Sequence, residues 1–181
     1  GQITDADKRR LGKSGKPRGQ FGINLNMSYK GFYLSALFQG STKFNMYVAG
    51  SLGMQTGQTY GMPVAYDYQT DFWTPDNRDA QYPRLMANTA LNQNNNYASS
   101  DFWLINGAYL RMKDFQFGYD FKYSLLKNVS WLTRCKMGIS GQNIFTISQA
   151  TKYGMDPEPS DTNYYGYPVE RTIALTLNLG F

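Results

Sequence analysis

The chain has 181 residues, 16% of them aromatic, with 18 glycines, 15 tyrosines and a formal net charge of +5. One cysteine and no histidine exclude an intramolecular disulfide, a Cys-based zinc site and the Ser-His-Asp and Cys-His catalytic arrangements. No apolar run reaches the 18 residues a membrane-spanning helix needs, and the length suits one domain or part of a larger one. The start at Gly1, without Met or a signal pattern, reads as a fragment or a processed piece.

Residues 1–19 hold Gly, Asp, Lys and Pro and read as loop. Lys8, Arg9, Arg10, Lys13, Lys16 and Arg18 crowd into this leader. It carries no interleaved aromatic, so it does not read as a nucleic-acid surface, and no nucleic-acid partner is expected. Phe21, Ile23, Leu25, Met27 and Tyr29 then alternate with Gly22, Asn24, Asn26, Ser28 and Lys30, the period of a strand. Lys30-Gly31 reads as a tight turn, after which Phe32, Leu34, Ala36 and Phe38 continue as a second strand. From about 41 to 100 no period is sustained. Alternation resumes near Trp103 and is clearest where Phe115, Phe117, Tyr119 and Phe121 face away from Asp114, Gln116, Gly118 and Asp120. Leu110 and Met112 fall on the opposite parity, which places Arg111 and Lys113 on the aromatic side. Either a bulge resets the register there, or Arg111 sits at an outer membrane interface. Residues 122–130 read as a short connection with one helical turn over Ser124–Asn128. Trp131, Cys135, Met137 and Ile139 alternate with Leu132, Arg134, Lys136, Gly138 and Ser140 in a fourth strand, and 148–168 reads as loop. In the last strand Ile173, Leu175, Leu177, Leu179 and Phe181 alternate with Thr172, Ala174, Thr176, Asn178 and Gly180.

The class is therefore all-β and antiparallel, but alternation alone fits two solvents. In a soluble sandwich the apolar side is core; in an outer-membrane barrel it meets lipid and the polar side meets the lumen. A sandwich could bind carbohydrate through its loop aromatics. The connections favour the barrel: short at 30–31, long at 41–100, short at 122–130, long at 148–168. Outer-membrane barrels alternate short periplasmic turns with long extracellular loops in this way. On that reading 1–19, 41–100 and 148–168 are extracellular, and Phe181, a terminal aromatic, resembles the assembly signal of such barrels. Five strands cannot close a bacterial barrel of this type, which needs at least eight, so the segment completes a larger one.

Several strings, in order, resemble one family. Asp71-Phe72-Trp73-Thr74-Pro75-Asp76-Asn77 and Tyr82-Pro83-Arg84-Leu85 are followed by Ser100-Asp101-Phe102-Trp103-Leu104 and Ala108-Tyr109-Leu110-Arg111-Met112-Lys113. Ser140-Gly141-Gln142-Asn143-Ile144-Phe145-Thr146, Asp156-Pro157-Glu158 and Tyr167-Pro168-Val169-Glu170-Arg171-Thr172 complete the set. Together they resemble the carboxyl-terminal barrel portion, 1–181, of SusC/RagA-type TonB-dependent outer-membrane transporters; no plug domain is in this sequence. The resemblance implies a 22-stranded barrel, coupling to the TonB complex, a SusD-like surface lipoprotein as lid, and import of oligosaccharide or peptide. It implies transport, not an enzyme, and no required cofactor. A passive barrel without TonB coupling is the nearest alternative.

Candidate sites follow from residue chemistry. Gly1 to Asp7 resembles the second half of a calcium loop, with Asp5 and Asp7 as possible oxygen ligands for Ca2+. Phe72, Trp73, Tyr82, Arg84, Tyr164 and Tyr165 lie on expected extracellular loops, where they could face substrate or the lipoprotein lid. Arg84 and Asp101 could pair. Asp156 and Glu158, with their flanking prolines, read as loop shape rather than as the paired carboxylates of a glycosidase. The basic leader could meet lipopolysaccharide phosphates, and Cys135 falls on the lipid-side parity.

Overall fold

A computed structural model describes residues 4–11, 15–47, 70–84, 100–158 and 169–181. The strands are β1 (Gln20–Tyr29), β2 (Phe32–Ser41), β3 (Asn45–Tyr47), β4 (Leu104–Asn106), β5 (Tyr109–Asp120), β6 (Arg134–Ser148) and β7 (Thr172–Gly180). Five form one antiparallel sheet in the order β1-β2-β5-β6-β7, and β3 pairs with β4 in a separate ribbon. The five strands read from alternation are thus the five of the large sheet. The stretch expected to be irregular also contains β3, and Ser41 closes β2. A three-residue strand is shorter than any window in which a period can be seen.

The sheet begins at the Lys30-Gly31 turn, where φ is 45° and 90° at the two central residues. Two positive φ values give the hairpin turn whose twist matches right-twisted strands. A Cβ on Gly31 would press into the Tyr119 ring and the Tyr123 Cβ. Gly31→Ala is therefore expected to cost more than about 1 kcal/mol, read as a lowered thermal midpoint of the assembled protein.

Register aligns like with like across all five strands. Met27, Leu34, Phe117, Ile139 and Leu175 form one apolar rung; Asn26, Ser35, Gln116, Ser140 and Ala174 form the adjacent polar one. On the polar face the Asn26 amide oxygen accepts from Ser35 Oγ at 2.8 Å and Asn26 Nδ2 donates to Asn24 at 3.1 Å. Among the described residues no layer lies over the apolar face: Met27 is 66% exposed and Leu175 86%. A sandwich would bury these side chains, and the described residues supply no second sheet to do so. Hydrophobic burial within this chain instead gathers at the loop end, in a cluster of Phe44, Met46, Trp103, Ile105, Ala150 and Met155.

The register break near Lys113 is a bulge. Opposite β2, Asp114 pairs with Leu37 and Met112 with Phe38, so Lys113 is the extra residue; opposite β6, Met112 pairs with Phe145 and Asp114 with Gln142. Asn143, at φ 51°, takes up the slack on β6, and its amide Nδ2 donates to the Glu170 carbonyl at 3.0 Å. The extra residue reverses the parity. Leu110 and Met112 rejoin the apolar face, and Arg111 lies level with Gln39 and Thr146 on the polar one. The interfacial placement of Arg111 and Lys113 on the aromatic side is thereby corrected.

At the turn end, β5 stops at Asp120 rather than running through Phe121. Asp120 Oδ1 accepts from the Lys122 N–H at 3.0 Å and caps a 3-10 turn over Phe121–Tyr123, upstream of the helical turn expected at 124–128. Competition from this cap ends the ladder although the side-chain alternation continues. Lys122 Nζ donates to the Val129 carbonyl at 2.6 Å and closes the connection. Aromatic rings collect here: Phe32 lies edge-on to Tyr119 at 4.7 Å, and Trp131 stacks on Phe181 at 5.8 Å, 7° from parallel. Phe181→Ala removes that stack and, if Phe181 is an assembly signal, is expected to lower the yield of folded protein. The check is the heat-modifiable band in electrophoresis, with Trp131→Ala separating stacking from signalling.

Candidate functional site: the loop end and the polar face

At the loop end a charged cluster sits on the polar face. Arg111, 2% exposed, extends from β5 where the bulge has turned it away from the apolar side. Its Nε donates to Thr146 Oγ1 at 2.9 Å, its Nη2 to Asp156 Oδ1 at 2.7 Å, and its Nη1 to Glu158 Oε2. Lys113 Nζ donates to both Glu158 carboxylate oxygens at 2.8 Å. The Glu158 N–H closes back on Asp156 Oδ1 at 2.9 Å, around a fully buried Pro157. Two cations meet two carboxylates, and the guanidinium fork satisfies both acids at once.

Asp156 and Glu158 are therefore ion-pair partners, which corrects their reading as mere loop shape. Both carboxylates are engaged by cations, so neither is placed as the acid or base of a glycosidase. A signal for this cluster was present in the sequence. Arg111 and Lys113 are two residues apart on a strand, Asp156 and Glu158 are two residues apart on a loop, and complementary spacing permits the match. What the alternation could not supply was the bulge that turns Arg111 to the correct side.

The segment 70–84 is a compact loop built on Asp71. Its carboxylate accepts from Asn77 Nδ2 at 3.0 Å and from the Gln81 N–H at 3.1 Å. The Trp73 N–H donates to the Tyr82 carbonyl at 2.9 Å and the Tyr82 N–H to the Asp71 carbonyl at 3.0 Å. Phe72 bridges Tyr82 across this loop, Trp73 and Arg84 are exposed, and Tyr82 packs on the loop-end cluster. The structure thus unites Phe72, Trp73 and Tyr82 but joins Arg84 to none of the described acids, and no ion pair links it to Asp101. Tyr164 and Tyr165 lie outside the described residues. Phe102, exposed and edge-on to the buried Trp103 at 4.8 Å, is a further loop-end aromatic, part of the Ser100–Leu104 string but not among the candidate site residues.

Asp5 and Asp7 occupy a 3-10 turn. The Asp7 carboxylate accepts from the Thr4 N–H at 2.7 Å, and Asp5 pairs with Lys8 at 2.6 Å. The Lys8 hydrogen bond holds the Asp5 carboxyl below its ordinary value. A lowered acid pKa favours the folded turn above the unfolded value, and that contribution disappears as pH falls through the folded one. Both groups are solvent-exposed, so the pair's effect is small. Among the described residues no group of three or more metal-ligating side chains is gathered.

On the polar face nearer the turn, Tyr33 lies level with Gly118, and Gly118 with Gly138. A Cβ at either glycine would strike the Tyr33 hydroxyl and backbone of the neighbouring strand. Lys136 Nζ stands 5.4 Å from the Tyr33 ring centroid and 3.8 Å from Asp120 Oδ2. The paired glycines thus leave the slot an aromatic ring fills.

An antiparallel sheet with an apolar face that no described residue covers, one hydrogen-bonded polar face, short turns at one end and folded loops at the other is of the kind found in the walls of β-barrels. The comparisons agree. The chain is 28% identical over its whole length to TonB-dependent receptor P3 of Formosa agariphila, of which it spans 18%. In fold it matches a chain of the RagAB peptide importer in the closed-closed state, with TM-score 0.70, 21% identity, and coverage of 99% of this chain and 19% of that one. Against a second RagAB peptide transporter structure the TM-score is 0.67 at 20% identity, and against the open-open state it is 0.60 at 21%, with the same coverage. No family model matches the chain. The chain is thus similar throughout to part of a SusC/RagA-type TonB-dependent transporter, about a fifth of such a protein's length. These relatives are named as receptors and importers, not as enzymes. Among the described residues no helix is long and apolar enough to cross a membrane.

Proposed function

We propose that this chain is wall and rim of a bacterial outer-membrane barrel that imports nutrients. The barrel is TonB-dependent and works with a SusD-like surface lipoprotein. The apolar face meets lipid, the polar face lines the lumen, and 1–19, 41–100 and 148–168 face outward. Oligosaccharides or peptides are the cargo; the likeness to a peptide importer supports the second of these. The observation that carries the reading is the apolar rung running uncovered across five strands, together with whole-length similarity to a TonB-dependent receptor. Among the described residues β1 and β7, of ten and nine residues, are the edge strands and have no partner on their outer side, the arrangement expected of strands continued by further strands in a closed barrel. The basic leader would then stand at the outer leaflet, where lipopolysaccharide phosphates can meet Arg9, Arg10 and Arg18.

The test is fractionation of cells producing the native protein, followed by uptake of labelled oligosaccharide and peptide pools with and without proton-motive force. Outer-membrane residence, co-purification of a lipoprotein and energy-dependent uptake support the proposal. Recovery of the segment in the soluble fraction overturns it, and uptake that ignores the proton-motive force would identify a passive barrel.

A further inference from the structure

We infer that residues 149–158 form a reversible strap, hinged at the end of β6, held on the polar face at the loop end by the Arg111 charge cluster and able to lift from it as one body. The inference rests on the reading above only in calling that place the mouth of a barrel.

Three features of the strap carry it. Its backbone hydrogen bonds close on itself: Lys152 N–H to Gln149, Gly154 N–H to Thr151 and Met155 N–H to Ala150, all carbonyl acceptors at 3.1–3.2 Å. Among the described residues its backbone groups from 149 onward meet the large sheet only at the hinge, where the Ala150 N–H donates to Ser148 Oγ at 3.2 Å, so lifting it breaks no ladder. It is attached to the rest by side chains, at the apolar cluster, at the charge cluster, and where Gln81 Nε2 donates to the Tyr153 hydroxyl at 3.5 Å. Ala150 and Met155 fill the apolar cluster with Phe44, Met46, Trp103 and Ile105, and Gln149 Oε1 accepts from the Asn106 N–H at 2.9 Å. At its far end Asp156 and Glu158 take the Arg111 fork.

The second feature is the energetics of that fork. Arg111 is desolvated where the acids of the strap meet it; the side chain is 3% exposed, Asp156 20% and Glu158 28%. Removing three charges from water offsets most of their mutual attraction, so such a cluster contributes specificity of position more than net strength. Lifting the strap rehydrates all the charges together. Seated or lifted, the charges are satisfied, whereas a half-lifted strap leaves a buried guanidinium with one acid. This is the profile of a two-position element.

The third feature is placement. Arg111 is level with Gln39 and Thr146 on the polar face, so the acidic tip of the strap closes over the polar side of the wall and not over its apolar side. A seated strap covers Arg111; a lifted one uncovers a cation and the apolar floor beneath Met155.

Amide hydrogen exchange on the intact protein in detergent tests this. The strap amides, 149–155, are expected to exchange as a group and faster than the β5–β6 ladder, because they open without it. In Arg111→Met they are expected to exchange at least tenfold faster, with the ladder unchanged. Should that variant not assemble, R111M/D156N, which leaves Lys113 paired with Glu158 and no acid without a cation, supplies the comparison. Strap amides that exchange only at the ladder rate, or that ignore the loss of Arg111, overturn the inference. Neither result depends on which cargo is imported, so failure here is distinct from failure of the importer reading.

Discussion

Leu175→Arg is expected to cost about 2–4 kcal/mol in a bilayer and to abolish assembly of the native protein, while Thr176→Arg beside it is tolerated. Leu175 is the most exposed large apolar side chain on the sheet, at 86%. In water, arginine at so open a position would change stability by about 0.5 kcal/mol or less. In lipid it places a guanidinium in hydrocarbon near the middle of β7, too far from either strand end to reach headgroups easily. Thr176 is level with Gly138 on the polar face, where a charge meets water. The measurement is the folded, heat-modifiable fraction recovered from outer membranes or after refolding into lipid vesicles. Equal yields from the two variants would remove the lipid assignment of the apolar face.

A second large effect is expected at the glycine slot. Gly138→Val should destabilise the sheet by about 3 kcal/mol, the upper end of overpacking effects. Its new Cβ meets the Phe117 carbonyl, the Gly118 Cα and the Tyr33 hydroxyl together. Two of these are backbone atoms of β5 and cannot rotate away. The third can, so the effect should be coupled to Tyr33. Removing the ring in Tyr33→Ser/Gly138→Val is expected to recover about 0.5–1 kcal/mol relative to the sum of the single changes. The readout is the denaturant midpoint in lipid vesicles for the four proteins of the cycle. Strict additivity would mean that Tyr33 does not occupy the slot the glycines leave.

Much of the wall was legible in the sequence because strand periodicity is local. Phe21 to Tyr29 and Ile173 to Leu179 each display period two within their own residues, and Lys30-Gly31 carries its turn chemistry in two positions. The candidate site was less legible. Phe72, Trp73 and Tyr82 were singled out and do come together, but Arg84 does not join them. Asp156 and Glu158 were set aside because nothing within their own stretch shows the cation they meet, 45 and 47 residues earlier in the chain. The bulge offered as one explanation for Leu110 and Met112 is present, but its choice depends on two neighbouring strands at once.

The sequence by itself determined the all-β class, the two faces of each long strand, the single-turn connections and the resemblance to the SusC/RagA-type transporters. Each of these is encoded in contiguous residues: side-chain parity, a Gly at positive φ, short ordered strings. The tertiary structure alone decided that no layer among the described residues covers the apolar face, that β3 and β4 pair, and that Arg111 is buried on the polar side against the 149–158 strap. These outcomes turn on which distant segments share a location: Arg111 meets Asp156 and Glu158 because the bulge at Lys113, fixed between β2 and β6, turns it to the polar side.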